Sequence, residues 1–335
     1  MNYTDRERVK RLAGVFDGNY RISNLYSTYL ERFPEFISAD MVDALTEDGR
    51  ISKKEGVCAL LEVAFALNSE KDASDRSFVR KYITPSVRIL DTKRYTENPY
   101  YKNIKIGNIK DGEWEFKNEY YPPYRAFICD DMEINDDFSE IPPLGFFDTG
   151  FTFPAVLEGG NEWMTLTPVD LDTSADAITR ARGKVVTFGL GLGYFAYMAS
   201  EKEDVTCVTV VEKSPDVIRL FKKHILPQFN NSDKIKIVNA DAFLYAENVM
   251  PGEGFDFAFV DTWRDASDGV PMYEKMKKLE AKSPECEFSY WIENFLKSRI
   301  RALRFESLYK KVISDAPDAP GSYDEFLSQL TDGVK

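Results

Sequence analysis

From about residue 166 the sequence alternates between short apolar runs and stretches with helical spacing, and this pattern restricts the possible folds more than any other feature. TSADAITRARG predicts a helix capped by Thr173 and ended by Gly183, and the following KVVTF predicts a buried strand. VTCVTVVE, KIKIVNADAF and FDFAFVDT predict three more strands. The alternation indicates a parallel sheet with right-handed crossovers, in which ligands bind at the carboxyl ends of the strands.

We expect strands near residues 184–188, 205–212, 235–239 and 255–261, in the spatial order third, second, first, fourth. After Asp261 the sequence shows helical spacing, as in KMKKLEAK and YWIENFLKSRIRALRFESLYKKV, and no clear apolar run for another strand. The predicted fold class is therefore α/β, with a Rossmann-like sheet truncated after the fourth strand.

A glycine-rich turn, GLGLG at residues 189–193, comes directly after the first predicted strand. A dinucleotide-binding GxGxxG turn requires glycine where this chain has Tyr194, and no P-loop lysine follows the turn. The spacing GxGxG suits a backbone that bends around the amino-acid end of a nucleoside cofactor.

Acidic residues end the three later strands. A carboxylate at Glu212 can accept hydrogen bonds from both ribose hydroxyls of a nucleoside. Asp241 is placed to meet an adenine amino group, and the amides of Ala242 and Phe243 are placed to meet ring nitrogens. With Asp261 after the fourth strand, these residues and the glycine turn predict one rim of polar groups.

Four stretches, VVTFGLGLGYFAYMAS, VTVVEKSP, IVNADAF and FDFAFVDTW, resemble the successive motifs of the class I S-adenosylmethionine-dependent methyltransferases, and are also similar to those of spermidine synthases. The resemblance covers residues from about 170 to 265. It implies a methyltransferase sheet and S-adenosyl-L-methionine as cofactor. The cofactor-binding residues that it implies are Gly189, Leu190, Gly191, Gly193, Glu212, Lys213, Asp241, Ala242 and Asp261.

Two features depart from these families. Thr187 stands where methyltransferases often have an acid, and the turn lacks the Asp of the spermidine synthase sequence GGGDGG. The resemblance implies a methyltransferase acting on a small molecule or protein. A spermidine synthase-like aminopropyltransferase and a non-catalytic cofactor-binding protein are the alternatives.

Methyl transfer requires alignment of a nucleophile and, where necessary, removal of a proton. The catalytic candidates after the fourth strand are Asp261, Trp263 and Asp265. The substrate candidates in LEGGNEWMTLTP are Glu158, Asn161, Trp163 and Thr165. A Gly-Gly turn followed by a packed tryptophan is the alternative reading of that stretch.

The rest of the chain predicts two further regions. Residues 1–83 have apolar residues three and four apart and predict a helical N-terminal lobe, whereas residues 84–165 alternate in a pattern typical of β-strands. The Rossmann-like domain is expected over residues 166–335, with a helical C-terminal tail.

The net charge of −13 opposes binding to phosphate backbones, so we expect no nucleic-acid partner. Residues 111–148 carry eleven acidic and two basic side chains, which favours either attraction of a cationic substrate or a solubilising surface.

A Ser-His-Asp triad requires a histidine base and a His-rich metal site requires several, so the single histidine, His224, disfavours both. Four separated cysteines predict no metal site and no disulfide frame. His224 is expected at the surface of a helix. Since no signal peptide and no long apolar run is evident, we expect a cytoplasmic protein without a membrane partner. The oligomeric state stays open.

Overall fold

The structure is a computed structural model that describes residues 1–334. Its helices in chain order are α1 (Tyr3–Arg32), α2 (Ala39–Thr46), α3 (Lys53–Ala64), α4 (Ala73–Phe78), α5 (Thr84–Ser86), α6 (Thr92–Thr96), α7 (Pro99–Asn103), α8 (Pro168–Arg180), α9 (Tyr194–Ser200), α10 (Pro215–His224), α11 (Ala242–Asn248), α12 (Met250–Glu253), α13 (Ala266–Leu279), α14 (Glu293–Ile313) and α15 (Tyr323–Thr331). Its strands are β1 (Val87–Leu90), β2 (Ile109–Asp111), β3 (Trp114–Tyr121), β4 (Phe127–Ile128), β5 (Glu133–Ile134), β6 (Glu140–Ile141), β7 (Leu144–Phe147), β8 (Phe151–Glu158), β9 (Asn161–Thr165), β10 (Gly183–Phe188), β11 (Val205–Glu212), β12 (Ile235–Asn239), β13 (Phe257–Val260) and β14 (Glu287–Tyr290).

The chain divides into two compact units, each assembled from separate stretches of sequence. Unit 1 contains residues 1–90, 123–148 and 294–334, and unit 2 contains residues 91–122 and 149–293. This division differs from the three consecutive regions expected from the sequence. In particular, α14 and α15, expected as the tail of the sheet domain, belong to unit 1.

Unit 1 is mainly helical, and its last two helices pack on its first. The ring of Phe16 in α1 stacks on that of Phe305 in α14, with 4.0 Å between ring centroids, and Phe326 of α15 is fully buried in the same cluster. Arg301 of α14 forms a buried ion pair with Glu140 at 2.8 Å. These long-range contacts place the tail in this unit.

Unit 2 contains, within the described residues, a five-stranded parallel sheet in the order β12-β11-β10-β13-β14. The predicted first four strands and their spatial order are confirmed. Valines and phenylalanines fill the central strands, and Val185, Val186 and Phe188 of β10 are fully buried. Near-continuous burial is typical of a parallel strand covered on both faces.

The prediction that the sheet ends after the fourth strand is wrong. β14 pairs in parallel with β13, from Phe257 opposite Glu287 to Val260 opposite Tyr290. The sequence of β14, EFSY, alternates polar and apolar side chains and is not an apolar run like the FAFV of β13, and its last residue opens the stretch with helical spacing. The side chain of Arg180 holds this strand instead, through contacts with Glu287 at 2.5 Å and Ser289 at 3.1 Å. The described residues after β14 form α14 and α15.

A four-stranded antiparallel sheet, in the order β2-β3-β8-β9, precedes the parallel sheet in unit 2. Its last strand leads into α8. This helix begins at Pro168, and Thr167 rather than the expected Thr173 is its N-cap. The amide and hydroxyl of Thr167 donate to Asp170 Oδ2 at 2.7 and 3.0 Å, which forms a capping box.

No helix within residues 1–334 combines the length and the apolar character needed to cross a membrane.

Candidate active site

The glycine turn joins the end of β10 to α9. All three of its glycines have positive φ, at 101° for Gly189, 52° for Gly191 and 77° for Gly193. A Cβ at Gly189 would overlap the carbonyl oxygen of Asp261, and one at Gly193 would overlap the ring of Phe221. The turn therefore requires glycine both for its left-handed backbone and for its close approach to neighbouring groups.

Side chains from other elements also bind the backbone of the turn. Glu212 Oε2 accepts a hydrogen bond from the Leu190 amide at 3.1 Å. Met164 Sδ accepts one from the Leu192 amide at 3.1 Å, and Tyr100 Oη donates to the Leu192 carbonyl at 2.5 Å. The turn closes on itself where the Gly193 amide donates to the Leu190 carbonyl at 2.8 Å.

Glu212 ends β11 and is half-buried. Besides the Leu190 amide, its carboxylate accepts the Ser214 amide at the start of α10, with 2.7 Å between Oε1 and N. Each carboxylate oxygen has two lone pairs, so each can accept one further donor. Lys213, the next residue, is exposed, and its carbonyl accepts a hydrogen bond from Asn239.

Asp241 follows β12 and is the N-cap of α11. Its Oδ1 accepts the amides of Phe243 at 3.0 Å and Leu244 at 3.1 Å. The Phe243 amide, predicted to meet a ring nitrogen, is therefore engaged in the cap. Ala242 is the half-buried first residue of this helix.

Asp261 follows β13 immediately, and its amide donates to the Phe188 carbonyl at 2.9 Å. Its carboxyl lines a pocket at the carboxyl ends of β10 and β13. Burial raises the pKa of Asp261 to about 8, and the negative charges of Asp170 and Glu212 raise it further. At neutral pH, burial and these two negative charges therefore favour the protonated carboxyl of Asp261.

Asp170 is a second acid in the same pocket, and the sequence reading missed it. Burial raises the pKa of Asp170 to about 6, although hydrogen bonds from Thr167 oppose the rise. The sequence TPVD at residues 167–170 signals a helix start with Pro at the first position and an acid at the third, but it does not signal that this acid lines a pocket. Met164, Thr187 and Tyr194 also line the pocket.

Trp263 and Asp265, the other catalytic candidates, lie outside the residues that line this pocket. Asp265 is the N-cap of α13 and accepts the Ser267 amide at 2.6 Å. The side-chain hydrogen bond with Ser267, together with this amide, lowers the pKa of Asp265. Trp263 is buried and stacks on Tyr290 with 6.3 Å between ring centroids. Its Nε1 has no hydrogen-bond partner within residues 1–334.

The substrate candidates lie along the β8–β9 hairpin. Glu158 and Asn161 face each other at its tip and are exposed. The ring of Trp163 packs edge-on against Trp114, with 5.4 Å between centroids, and half-buried Thr165 pairs with Ala155. None of these candidates lines the pocket; from this strand only Met164 does, and the sequence reading did not select it.

About half of the acidic side chains of residues 111–148 form salt bridges with cationic side chains. Salt bridges from Lys223 and Arg219 hold the pKa of Asp111 at about 2. Other acids pair with cations, as Glu140 does with Arg301. His224, on the same helix as Lys223, is half-buried, and its Nε2 lies 3.7 Å from Asp111. Within residues 1–334 no group of three or more His, Cys, Asp or Glu side chains is arranged to hold a metal.

Comparison of the sequence with protein-family profiles and with curated proteins found no match. Among solved structures, the chain is similar to a candidate O-methyltransferase from Klebsiella pneumoniae, with 18% identity, a TM-score of 0.24, and coverage of 31% of this chain and 46% of that one. It is also similar to the spermidine synthase from Thermotoga maritima, with 13% identity, a TM-score of 0.32, and coverage of 60% and 64%. The chain thus spans less than two thirds of each. Similarities of this size carry no assignment of activity.

Proposed function

We propose that the chain is an S-adenosyl-L-methionine-dependent methyltransferase that acts on a small molecule or protein with a cationic or hydroxyl-bearing acceptor. The observation that carries the proposal is the arrangement at the carboxyl edge of the parallel sheet. A left-handed glycine turn follows β10, and an acid follows or ends each of β11, β12 and β13. In such sheets ligands bind at this edge, next to the strand where the order reverses.

The chain's residues fit this cofactor in three respects. The carbonyl of Asp261 and the ring of Phe221 leave no room for a Cβ at Gly189 or Gly193, so the turn requires glycine at two of the positions expected of a nucleoside-binding turn. Glu212 retains acceptor capacity for ribose hydroxyls, since each oxygen has only one protein donor in the contacts above. Asp241 uses one carboxylate oxygen for its cap bonds, which leaves Oδ2 for an adenine amino group.

When bound, S-adenosyl-L-methionine supplies an electrophilic methyl group on a positively charged sulfur. Asp261 lies at the end of a buried strand, so the sheet fixes its backbone. A nearby positive charge favours the ionised carboxylate and therefore opposes the effect of burial on its pKa. The Asp261 carboxylate can then accept a hydrogen bond, or the proton, from an amine or hydroxyl acceptor.

One observation favours aminopropyl transfer as a second candidate function. The residues lining the pocket include Asp170 and Asp261 and contain no Lys, Arg or His within the described chain. A decarboxylated cofactor lacks the α-carboxylate that these acids would repel, and its primary amine is cationic at neutral pH. An acidic pocket therefore suits that donor as well.

Calorimetry with three ligands tests both candidates. We expect S-adenosylmethionine and S-adenosylhomocysteine to bind if the chain is a methyltransferase. Preferential binding of decarboxylated S-adenosylmethionine would replace this proposal with aminopropyl transfer. Absence of binding by all three would contradict both candidates.

A further inference from the structure

Leu192, the residue between the second and third glycines of the turn, has both of its backbone polar groups bound by side chains. Its amide donates to Met164 Sδ at 3.1 Å, and its carbonyl accepts from Tyr100 Oη at 2.5 Å. Met164 comes from β9, and Tyr100 comes from α7 and is fully buried. Two elements outside the parallel sheet therefore hold the two peptide groups on either side of the Leu192 Cα.

The same helix, α7, and the residue before it make further contacts with α9, the helix that follows the turn. Asn98 Nδ2 donates to Tyr194 Oη at 3.1 Å, and Asn103 Nδ2 donates to Tyr197 Oη at 2.7 Å. The ring of Tyr100 lies edge-on between them, with centroids 5.7 Å from Tyr194 and 5.5 Å from Tyr197. Tyr100 is thus at the centre of a contact between α7 and the glycine turn.

Fixing the two peptide groups next to the Leu192 Cα affects the entropy cost of ligand binding. Glycine loses more conformational freedom than any other residue when its backbone is fixed, and Leu192 has a glycine on each side. If the turn were held only by its own hydrogen bonds, a ligand would have to order these peptides when it binds. Bonds from outside the turn order them beforehand, and such pre-organisation strengthens binding.

We propose that Tyr100 and Met164 are positioning residues that fix the glycine turn in its ligand-binding conformation. Tyr100 is expected to have the larger effect of the two, because its hydroxyl binds the turn and its ring packs against α9. The effect on affinity rests on the proposed binding of S-adenosylmethionine by the turn, whereas the effect on the order of the turn does not.

Two conservative variants separate these contacts. Tyr100→Phe removes the hydroxyl that donates to Leu192 and keeps the ring. Met164→Leu removes the sulfur that accepts from the Leu192 amide and keeps a similar volume. Tyr95→Phe is the matched control, since Tyr95 is a buried phenol on the preceding helix, α6, whose hydroxyl donates to Asp172 at 2.8 Å rather than to the turn.

Hydrogen-deuterium exchange without cofactor is the first measurement. Tyr100→Phe is expected to accelerate exchange at residues 190–195, Met164→Leu is expected to accelerate it at the Leu192 amide, and Tyr95→Phe is expected to leave it unchanged. Calorimetry with S-adenosylmethionine is the second. Tyr100→Phe is expected to raise the Kd roughly 3- to 10-fold, the scale of one neutral hydrogen bond, with the Tyr95→Phe value equal to that of the wild type.

The outcomes distinguish the two proposals. If the wild-type chain binds no cofactor, the proposed function fails, and exchange alone decides whether Tyr100 orders the turn. If exchange at residues 190–195 is the same in Tyr100→Phe and Tyr95→Phe, Tyr100 has a general packing role and the inference is overturned. Faster exchange with unchanged affinity overturns the link between an ordered turn and cofactor binding.

Discussion

The carboxylate of Glu212 accepts the amide of Leu190 at 3.1 Å, so the acid at the end of β11 is tied to the glycine turn that follows β10. Its other oxygen accepts the amide of Ser214 at the start of α10. One side chain therefore joins a strand, a turn and a helix at the edge where the ligand is proposed to bind. A ligand lying along the turn would meet a carboxylate whose position is already fixed.

Replacing Glu212 tests its place in the site. Glu212→Ala is expected to weaken S-adenosylmethionine binding by about 1–3 kcal/mol, because hydrogen bonds to a charged acceptor are lost. Calorimetry measures the effect, and circular dichroism checks the fold. Glu203→Ala, which removes an exposed acid between α9 and β11, is the control and should bind as the wild type does. If folded Glu212→Ala and folded Glu203→Ala bind S-adenosylmethionine with equal affinity, Glu212 does not contribute to the binding site.

Asp261 and Asp265 provide a matched pair for the reaction itself. Asp261→Asn keeps the shape of the pocket but cannot accept a proton, so turnover of an identified substrate should fall by roughly 10²-fold or more. Cofactor affinity should be retained. Asp265→Asn should be nearly neutral, because Asn caps a helix as well as Asp does. If Asp261→Asn turns over the substrate at the wild-type rate, Asp261 has only a structural role next to the end of β13.

Much of the parallel sheet could be predicted because most of its strands are recognisable from their own stretch of sequence. β13 is a continuous apolar run, and β10 to β12 are short stretches rich in Val and Ile with single polar residues between them. The glycine turn after β10 is also evident from the spacing of its glycines in the sequence. β14 could not be predicted in this way. Its sequence, EFSY, is not an apolar run, and its position depends on pairing with β13 and on Arg180, which is distant in sequence.

The candidate site was predictable where it lies at strand ends and not elsewhere. Glu212 ends a strand and Asp241 and Asp261 follow strands, and the structure places all three at one edge of the sheet. Asp170 and Met164 enter from α8 and β9, and nothing local in their sequence shows that these elements meet the glycine turn. Asp265 was predicted to be catalytic because it comes shortly after a strand, but its contacts are those of a helix N-cap.

Gly189 provides a test of the turn that is independent of any ligand. Gly189→Ala should lower the free energy of unfolding by at least about 1–3 kcal/mol, the cost of a strained backbone at φ 101°, with further loss from overlap with the Asp261 carbonyl. Chemical denaturation measures it. Gly252→Ala is the control, because Gly252 lies in α12 with no atom near its missing Cβ. Equal stability of the two variants would show that the turn can relax.

The raised pKa of Asp261 predicts how stability depends on pH. Its ordinary value is 3.8 and its folded value is about 8, so the folded state holds this proton more tightly than the unfolded state does. The stabilisation from the proton is complete below about pH 4 and is lost as pH rises through 8. Asp261→Asn has no such proton. The free energy of unfolding of Asp261→Asn, minus that of the wild type, should therefore increase from pH 4 to pH 8, by at most about 1.4 kcal/mol per pH unit.

Urea denaturation of both proteins at pH 5, 6.5 and 8 measures this difference. Asp170, whose pKa is about 6, remains in both proteins, and because its charge acts on Asp261 the difference between the curves measures the titration of Asp261 together with its coupling to Asp170. The negative charges that face Asp261 come from Asp170 on α8 and Glu212 on β11, and both favour the protonated form. Parallel curves across this range would mean that the Asp261 carboxyl is already ionised in the folded chain. In that case it would act as a fixed negative charge next to the glycine turn, and its part in the reaction would be to hold a cation rather than to accept a proton.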